Sequence, residues 1–175
     1  LRFSSVYGSS PRMRFDISVN SMVLEMYRNQ KIVVRGKNNS RPFIHIKDAV
    51  KAYQKAIDAS KNSISGQIFN VGSDEQNFKM GDIAENIIKA TGQKCDLELG
   101  DTNDHRSYIT SFKKIKDELG FNPSFSINDG VNEIYNALAT NQLDYSTKTI
   151  TLEWYKHIQS DSKLFDKLQI NEHLL

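Results

Sequence analysis

The segment that most constrains this fold is LRFSSVYG, residues 1–8. Its apolar and small residues predict one buried strand that runs straight into a turn at Gly8, with no helix before it. A strand of this kind needs neighbours on both sides. Because no residue of the chain precedes it, we expect a neighbouring strand to come from elsewhere, either from a longer polypeptide or from a separate one.

The composition argues against several classes of protein. A length of 175 residues suits one domain, or a domain with an appendage. The net charge of +2 is not gathered into a basic block, so nucleic acid is not expected as a partner. Apolar stretches are too short to span a membrane, and no secretory leader is visible. Cys95 is the single cysteine, which predicts no internal disulfide, no zinc site and a cytoplasmic location.

Short strands alternate with helices, which predicts a mixed α/β fold. We expect strands over residues 1–8, 31–35, 43–46, 67–71 and 95–99. Helices are expected after Asp16, after Asp48, over 81–91, over 111–119 and after Ser126, where Ser126 and Asp129 resemble a capping box. We divide the chain into a lobe, residues 1–145, and a helical tail, residues 146–175.

Two of these elements carry more detailed predictions. The strands at 31–35 and 43–46 are expected to pair as a small hairpin with a long polar connection. Asp48 is the expected N-cap of the helix that follows. That helix should face inward through Ala49, Val50, Tyr53, Ala56 and Ile57.

Three clusters contain residue types that suit ligand binding. The first is the turn after the opening strand, with Ser4, Ser5, Tyr7, Gly8, Arg12 and Arg14. The second is Arg41 together with Arg106, whose guanidinium groups could bind a diphosphate from two loops. The third is FNVGS, residues 69–73. Each has an ordinary alternative: a solvated strand end, surface charges and a simple turn.

The full set of motifs of a dinucleotide-dependent enzyme is not present in the sequence. There is no glycine-rich GxGxxG or Walker loop. The spacing Tyr-x-x-x-Lys occurs once, as Tyr27 and Lys31, which lie on either side of the junction between the helix after Asp16 and the strand 31–35. His45 alternates with apolar residues in a strand, so we expect a packed and hydrogen-bonded histidine there.

Taken in order, the segments resemble the C-terminal half of an extended short-chain dehydrogenase/reductase. The most similar group is the NAD-dependent nucleotide-sugar epimerases and dehydratases. The resemblance covers roughly residues 1–140 and depends on LRFSSVYG, SPRMRFD, RPFIHIKDAV, FNVGS, DHRSY and FKKIKDELGFNP. It implies the last strands of a Rossmann-type sheet and a small mixed α/β lobe that binds substrate.

The resemblance also implies roles for particular residues. Near the nicotinamide of NAD or NADP it places Phe3, Ser4, Ser5 and Val6. The resemblance also implies contacts with a nucleotide sugar. Asn20 would contact the diphosphate, and Arg41 and Arg106 would bind its phosphates. Asp104 would contact the ribose, and Val33 and Arg35 would lie beside the base. Ser5 and the Arg41-Pro42 pair depart from the common family pattern and match a subgroup that shares the SPRMRFD stretch.

The family reaction is a transient oxidation of the sugar, in which a tyrosine assisted by a lysine removes a hydroxyl proton while hydride passes to NAD⁺. In the family that pair belongs to the first, Rossmann half, which the resemblance does not cover, so the resemblance implies a substrate-binding half that is inactive alone. The missing Rossmann half would act in cis or in trans, and the full-length protein would be a homodimer. Two alternatives are a non-catalytic nucleotide-sugar-binding module and a structural protein that has lost the site.

Overall fold

The computed structural model describes residues 1–103, 106–161, 169–170 and 173–174. The strands are β1 (Arg2–Phe3), β2 (Ser5–Tyr7), β3 (Lys31–Arg35), β4 (Ser40–His45), β5 (Asn70–Val71), β6 (Asn77–Lys79), β7 (Asp96–Gly100), β8 (Gln169–Ile170) and β9 (His173–Leu174). The helices are α1 (Ser18–Asn29), α2 (Ile46–Asp58), α3 (Lys61–Ile64), α4 (Met80–Thr91), α5 (Lys113–Leu119), α6 (Ile127–Ala139) and α7 (Thr151–Ser160). The predicted mixed α/β class is confirmed.

The opening segment is two strands instead of one. β1 pairs in parallel with β5, and β2 pairs in parallel with β4, so the chain changes partner at Ser4. The Ser4 side chain donates a hydrogen bond to the Val71 carbonyl at 2.9 Å, which ties the break to the end of β5. The sequence predicted strand structure at the right residues, but it predicted one continuous strand instead of two. Local residues carry no information about a change of partner strand.

The predicted hairpin between residues 31–35 and 43–46 is wrong. β3 pairs in parallel with β7, with Val33 opposite Glu98, while β4 pairs in parallel with β2 and antiparallel with β6. A parallel pair needs a long crossover connection, and the intervening residues 36–95 supply it. The two neighbouring strands therefore belong to different sheets.

Two apolar clusters hold the elements together. The larger lies between β3 and helices α1, α4 and α6, and includes Val23, Ile32, Ile83, Val131 and Ile134, each fully buried. The smaller joins α2, β5 and α5 through Ala52, Val71 and Ile115. The ends of α4 and α5 follow local signals: Gly92 and Gly120 take left-handed conformations there, as glycine commonly does after a helix.

Helix α2 departs from its prediction at both its start and its face. His45 is the N-cap, and Asp48 is instead a buried side chain whose carboxylate accepts hydrogen bonds from the Ser124 and Phe125 backbones. Ala49 and Ala52 are the residues buried inward. Three residues expected to face inward are at the surface, with exposures of 50% for Val50, 54% for Tyr53 and 79% for Ile57.

The tail is not helical throughout. Helix α7 covers Thr151–Ser160, and the described residues beyond it, 169–170 and 173–174, form the short antiparallel pair β8–β9. The backbone of Phe15 donates to the Thr149 carbonyl at 2.8 Å, which attaches the start of the tail to the segment before α1.

Candidate functional site

A cleft of about 240 Å³ collects several of the predicted ligand-binding residues. Its lining residues are Ser5, Ser18, Arg35, Asn39, Arg41, Met80 and Thr102. Three of them, Ser5, Arg35 and Arg41, are predicted site residues from three different strands. None of the lining residues is acidic, so two guanidinium groups act on this cleft without a carboxylate in its described wall. Such a cleft suits an anion, because guanidinium groups bind phosphate oxygens in pairs.

Arg41 is held in place from two directions. It lies in β4, and its Nη1 donates to the Ser40 carbonyl at 2.9 Å. Its guanidinium carbon lies 5.0 Å from the centre of the Tyr108 ring. Tyr108 was not among the predicted site residues, although it lies in the DHRSY segment that carries part of the family resemblance.

The segment that contains Arg106 runs beside β4 because several hydrogen bonds attach it there. Tyr108 N–H donates to the Ser40 carbonyl at 3.1 Å, and Ser40 N–H donates to the Ser107 hydroxyl at 2.9 Å. Two residues further, Thr110 exchanges two hydrogen bonds with the Asn77 side chain. The structure thus brings the segments of Arg41 and Arg106 together, and a joint phosphate clamp stays a prediction. Asp104 lies outside the described residues.

Val33 and Arg35 lie on the outward face of β3, as the alternation of exposed and buried residues in that strand shows. Arg35 lines the cleft, whereas Val33, 39% exposed, is not among the lining residues. On the same face Lys31 and Glu98 form an ion pair of 2.8 Å. Lys31 lowers the pKa of Glu98, with a small further contribution from Arg35.

Asn20 is occupied by the protein itself. Its side chain is 2% exposed; its Oδ1 accepts from Gly8 N–H at 3.2 Å, and its Nδ2 donates to the Arg14 carbonyl at 3.0 Å. Asn20 therefore closes the turn formed by residues 8–14 at both ends. The predicted contact with a sugar diphosphate stays a prediction, and it would use an amide that already holds this turn.

The four residues predicted beside the nicotinamide are half-buried along β1 and β2. The Phe3 ring contacts the Tyr53 ring with centroids 4.8 Å apart, and Val6 borders the smaller apolar cluster. Ser4 is bonded to Val71, and Gly72 lies so close that an added Cβ would be 2.5 Å from the Ser4 hydroxyl. The FNVGS strand end thus packs against the protein's own side chains at this point.

The residues of β1 and β2 suit contact with one part of a dinucleotide, the nicotinamide, but not with the whole cofactor. A short strand with small hydroxyl residues can border a flat ring, which is the part assigned to Phe3, Ser4, Ser5 and Val6. The pyrophosphate of a dinucleotide normally needs a glycine-rich loop at a helix N-terminus. The sequence contains no such loop. When bound, the nicotinamide would accept and return a hydride, and these residues would contribute only to its placement.

His45 confirms the expectation of a packed and hydrogen-bonded histidine. It is fully buried, its Nε2 lies 2.8 Å from a Glu133 carboxylate oxygen, and its ring stacks on Phe125. Lys47 N–H donates to His45 Nδ1 at 3.3 Å, which places the ring proton of the neutral form on Nε2. The Ser9 backbone also donates to Glu133, so this network supports the turn that Asn20 closes.

The described residues form neither a metal-binding cluster nor a membrane-spanning helix. In the described part of the chain, no three histidine, cysteine or acidic side chains are grouped so that they could hold a metal ion. No helix among the described residues has both the length and the apolar character needed to cross a membrane.

Comparisons with known proteins connect this geometry to a family. Residues 1–72 match the model of the NAD dependent epimerase/dehydratase family. Over 147 residues the chain is 24% identical to CDP-paratose 2-epimerase of Salmonella typhi, covering 77% of this chain and 42% of the relative. Over 131 residues it is 26% identical to dTDP-glucose 4,6-dehydratase of Streptomyces niveus, covering 73% of this chain and 33% of the relative.

The fold is also that of a solved enzyme. The UDP-glucuronic acid 4-epimerase of Bacillus cereus, in complex with UDP-glucuronic acid and NAD, matches with a TM-score of 0.68 at 22% identity. The match covers 80% of this chain and 44% of that enzyme, so the chain spans less than half the length of the proteins it is similar to. The match to the family model covers residues 1–72, and the fold over 80% of the chain is that of this solved epimerase.

Proposed function

We propose that this chain is the nucleotide-sugar-binding half of an NAD- or NADP-dependent epimerase or dehydratase. The observation that carries the proposal is the cleft that holds Arg35 and Arg41 with no acidic residue in its described lining. A sugar nucleotide brings a diphosphate with two negative charges, which is the kind of group that such a cleft attracts. The curated relatives support this ligand class, since their names specify CDP- and dTDP-linked sugars.

The catalytic groups belong to a part of the enzyme outside this chain. The sequence has no glycine-rich loop. Its one Tyr-x-x-x-Lys spacing, Tyr27 and Lys31, is divided between the end of α1 and the start of β3, where Lys31 is paired with Glu98. The chain would bind and orient the sugar nucleotide, and the missing Rossmann half would carry the cofactor and the proton transfer. The isolated chain would then show no NAD(P)-dependent turnover.

Two features of the surface support the proposal that a Rossmann half packs against this chain. The parallel pair β1–β5 is two residues long and has no third strand among the described residues, whereas parallel sheets are normally buried in larger sheets. Beside it, Val50, Tyr53 and Ile57 form an exposed apolar stripe along α2. A Rossmann half, in the same polypeptide or a separate one, would cover both features.

The proposal extends to the setting of the whole enzyme. We place the full-length protein in the cytoplasm as a homodimer. The single cysteine, Cys95, is compatible with a reducing compartment.

The first test is binding of nucleoside diphosphates by the chain, measured by isothermal titration calorimetry with UDP, CDP, GDP and dTDP. We expect at least one to bind, and Arg41→Ala to weaken it about ten-fold or more, since a hydrogen bond to a charged group contributes roughly 1.5–3 kcal/mol. Arg28→Ala is the matched control, because Arg28 also lies over a tyrosine ring, 4.6 Å from the centre of Tyr145. Equal effects of the two substitutions would contradict the proposal.

The second test is the intact mass of the native polypeptide in its source cells. A mass near twice the 20.0 kDa of this chain would support a Rossmann half in the same polypeptide. A native mass of 20.0 kDa would instead favour the non-catalytic binding module, or a subunit of a split enzyme.

A further inference from the structure

Tyr108 holds a position that the packing of the core does not explain. Its side chain is 51% exposed, and it lies in the irregular stretch between β7 and α5. The backbone around it is attached to β4 and to Asn77 by main-chain and side-chain hydrogen bonds that do not involve the phenol. The ring is therefore free of a core role and is still held at a defined place.

The ring and the Arg41 guanidinium share an anchor. The Ser40 carbonyl accepts from Arg41 Nη1 at 2.9 Å and from Tyr108 N–H at 3.1 Å. The same arrangement places the guanidinium carbon 5.0 Å from the ring centre, within the range of a cation–π contact. One carbonyl thus sets the distance between the two side chains.

This arrangement leaves most of the guanidinium available to a ligand. A guanidinium has five N–H donors, and the bond to Ser40 uses one of them. The contact with the Tyr108 ring uses none of the remaining N–H donors of Arg41. A long arginine side chain loses conformational freedom when it binds, and a side chain that is already held loses less.

We propose that Tyr108 is a positioning residue that orients Arg41 toward the diphosphate of the ligand. This inference depends on the proposed function of the cleft and adds a residue that acts through Arg41. Tyr108 would contribute to affinity without touching the phosphates. The aromatic ring carries this role, so phenylalanine can replace tyrosine and an aliphatic residue cannot.

The binding test uses two probes, inorganic pyrophosphate and UDP, titrated into the chain by calorimetry. We expect Tyr108→Leu to weaken both probes by about the same factor, roughly two- to five-fold, which is the range of an exposed cation–π contact. Tyr108→Phe should retain the wild-type affinity for both. Tyr155→Leu is the matched control, since Tyr155 is 58% exposed and lies on α7.

The pattern across the probes separates the two ways in which Tyr108 could act. If Tyr108→Leu weakens UDP and leaves pyrophosphate unchanged, the ring contacts the nucleoside directly and the inference is wrong. Unchanged affinity for both probes would also overturn it. Equal thermal midpoints for Tyr108→Leu and wild type are expected, and they exclude a loss of fold as the cause.

A second measurement does not depend on any ligand. In ¹⁵N-resolved NMR spectra, the Arg41 side-chain protons should show a ring-current shift in the wild type and in Tyr108→Phe that disappears in Tyr108→Leu. If the wild type binds neither probe but shows the shift, the proposed function fails and the contact stands. If the shift is absent, Tyr108 does not hold Arg41 and the inference fails, whatever the binding data show.

Discussion

At the scale of single residues, the His45 network links the turn beside the cleft to two helices. His45 and Lys47 both contact the Glu133 carboxylate, and the Ser9 backbone donates to it. Gly130, the fourth residue of α6, makes room for this packing, because an added Cβ would lie 2.5 Å from the Tyr7 ring. Glycine is unfavourable inside a helix by about 1 kcal/mol relative to alanine, so its presence here has a packing reason.

The network makes stability depend on pH in a defined direction. Burial lowers the pKa of His45 below 6.5 and outweighs the opposing influence of Glu133. Burial acts to raise the pKa of Glu133, but the hydrogen bonds from Lys47, His45 and Ser9 outweigh it and lower the pKa. In both cases the unfolded chain takes up a proton before the folded chain does, so stability is lost as the pH falls.

We therefore expect the free energy of unfolding to decrease as the pH is lowered below about 6.5, with a further decrease below about 4.5. Urea unfolding at pH 7.5, 6.5, 5.0 and 4.0 measures this. His45→Gln should flatten the slope between pH 6.5 and 5.0, whereas His157→Gln, on the exposed side of α7, should leave it unchanged. An identical slope in wild type and His45→Gln would show that another group is responsible.

At the scale of elements, helix ends obey local rules and strand partners do not. Gln30 takes a left-handed conformation at the end of α1, as Gly92 and Gly120 do after α4 and α5. The position of each of these helix ends depends on residues within one turn of the helix. The partner of β3 is 65 residues away in β7, at a distance where no local pattern distinguishes it from the adjacent β4.

The capping box of α6 gives a test at this scale. Ser126 accepts from the Asp129 backbone, and the Asp129 carboxylate accepts from Ser126 N–H at 2.8 Å. Ser126→Ala should lower the free energy of unfolding by about 1 kcal/mol, the usual contribution of an N-cap. Chemical denaturation measures the change, and Ser126→Thr, which keeps a capping hydroxyl, should restore most of it. No difference between the two substitutions would show that the box contributes nothing.

At the scale of the whole molecule, the exposed side of α2 decides how the isolated chain behaves in solution. Val50, Tyr53 and Ile57 share one face of the helix. Tyr53 contacts Phe3 beside the edge of β1 that pairs with no strand in the described part of the chain. Exposed apolar patches and open strand edges both favour association.

We expect the chain to self-associate in sedimentation velocity experiments. The double substitution Val50→Lys with Ile57→Glu should shift it toward monomer, because charges on this face oppose burial against a second copy. Leu152→Glu with Tyr155→Lys, on the exposed side of α7, is the control and should change little. A monodisperse wild-type monomer would contradict this expectation.

The sequence by itself determined those features whose causes lie within a few residues. The C-terminal ends of α4 and α5, the capping box of α6, the packed state of His45 and the family resemblance of residues 1–72 all depend on short-range pattern. Only the tertiary structure decided which strands pair, that β1 and β2 change partner at Ser4, and that the Tyr108 ring lies under Arg41. It also showed that Asn20 closes its own turn. The physical reason is that these contacts close loops of up to about seventy residues, and their energies depend on packing that no local segment contains.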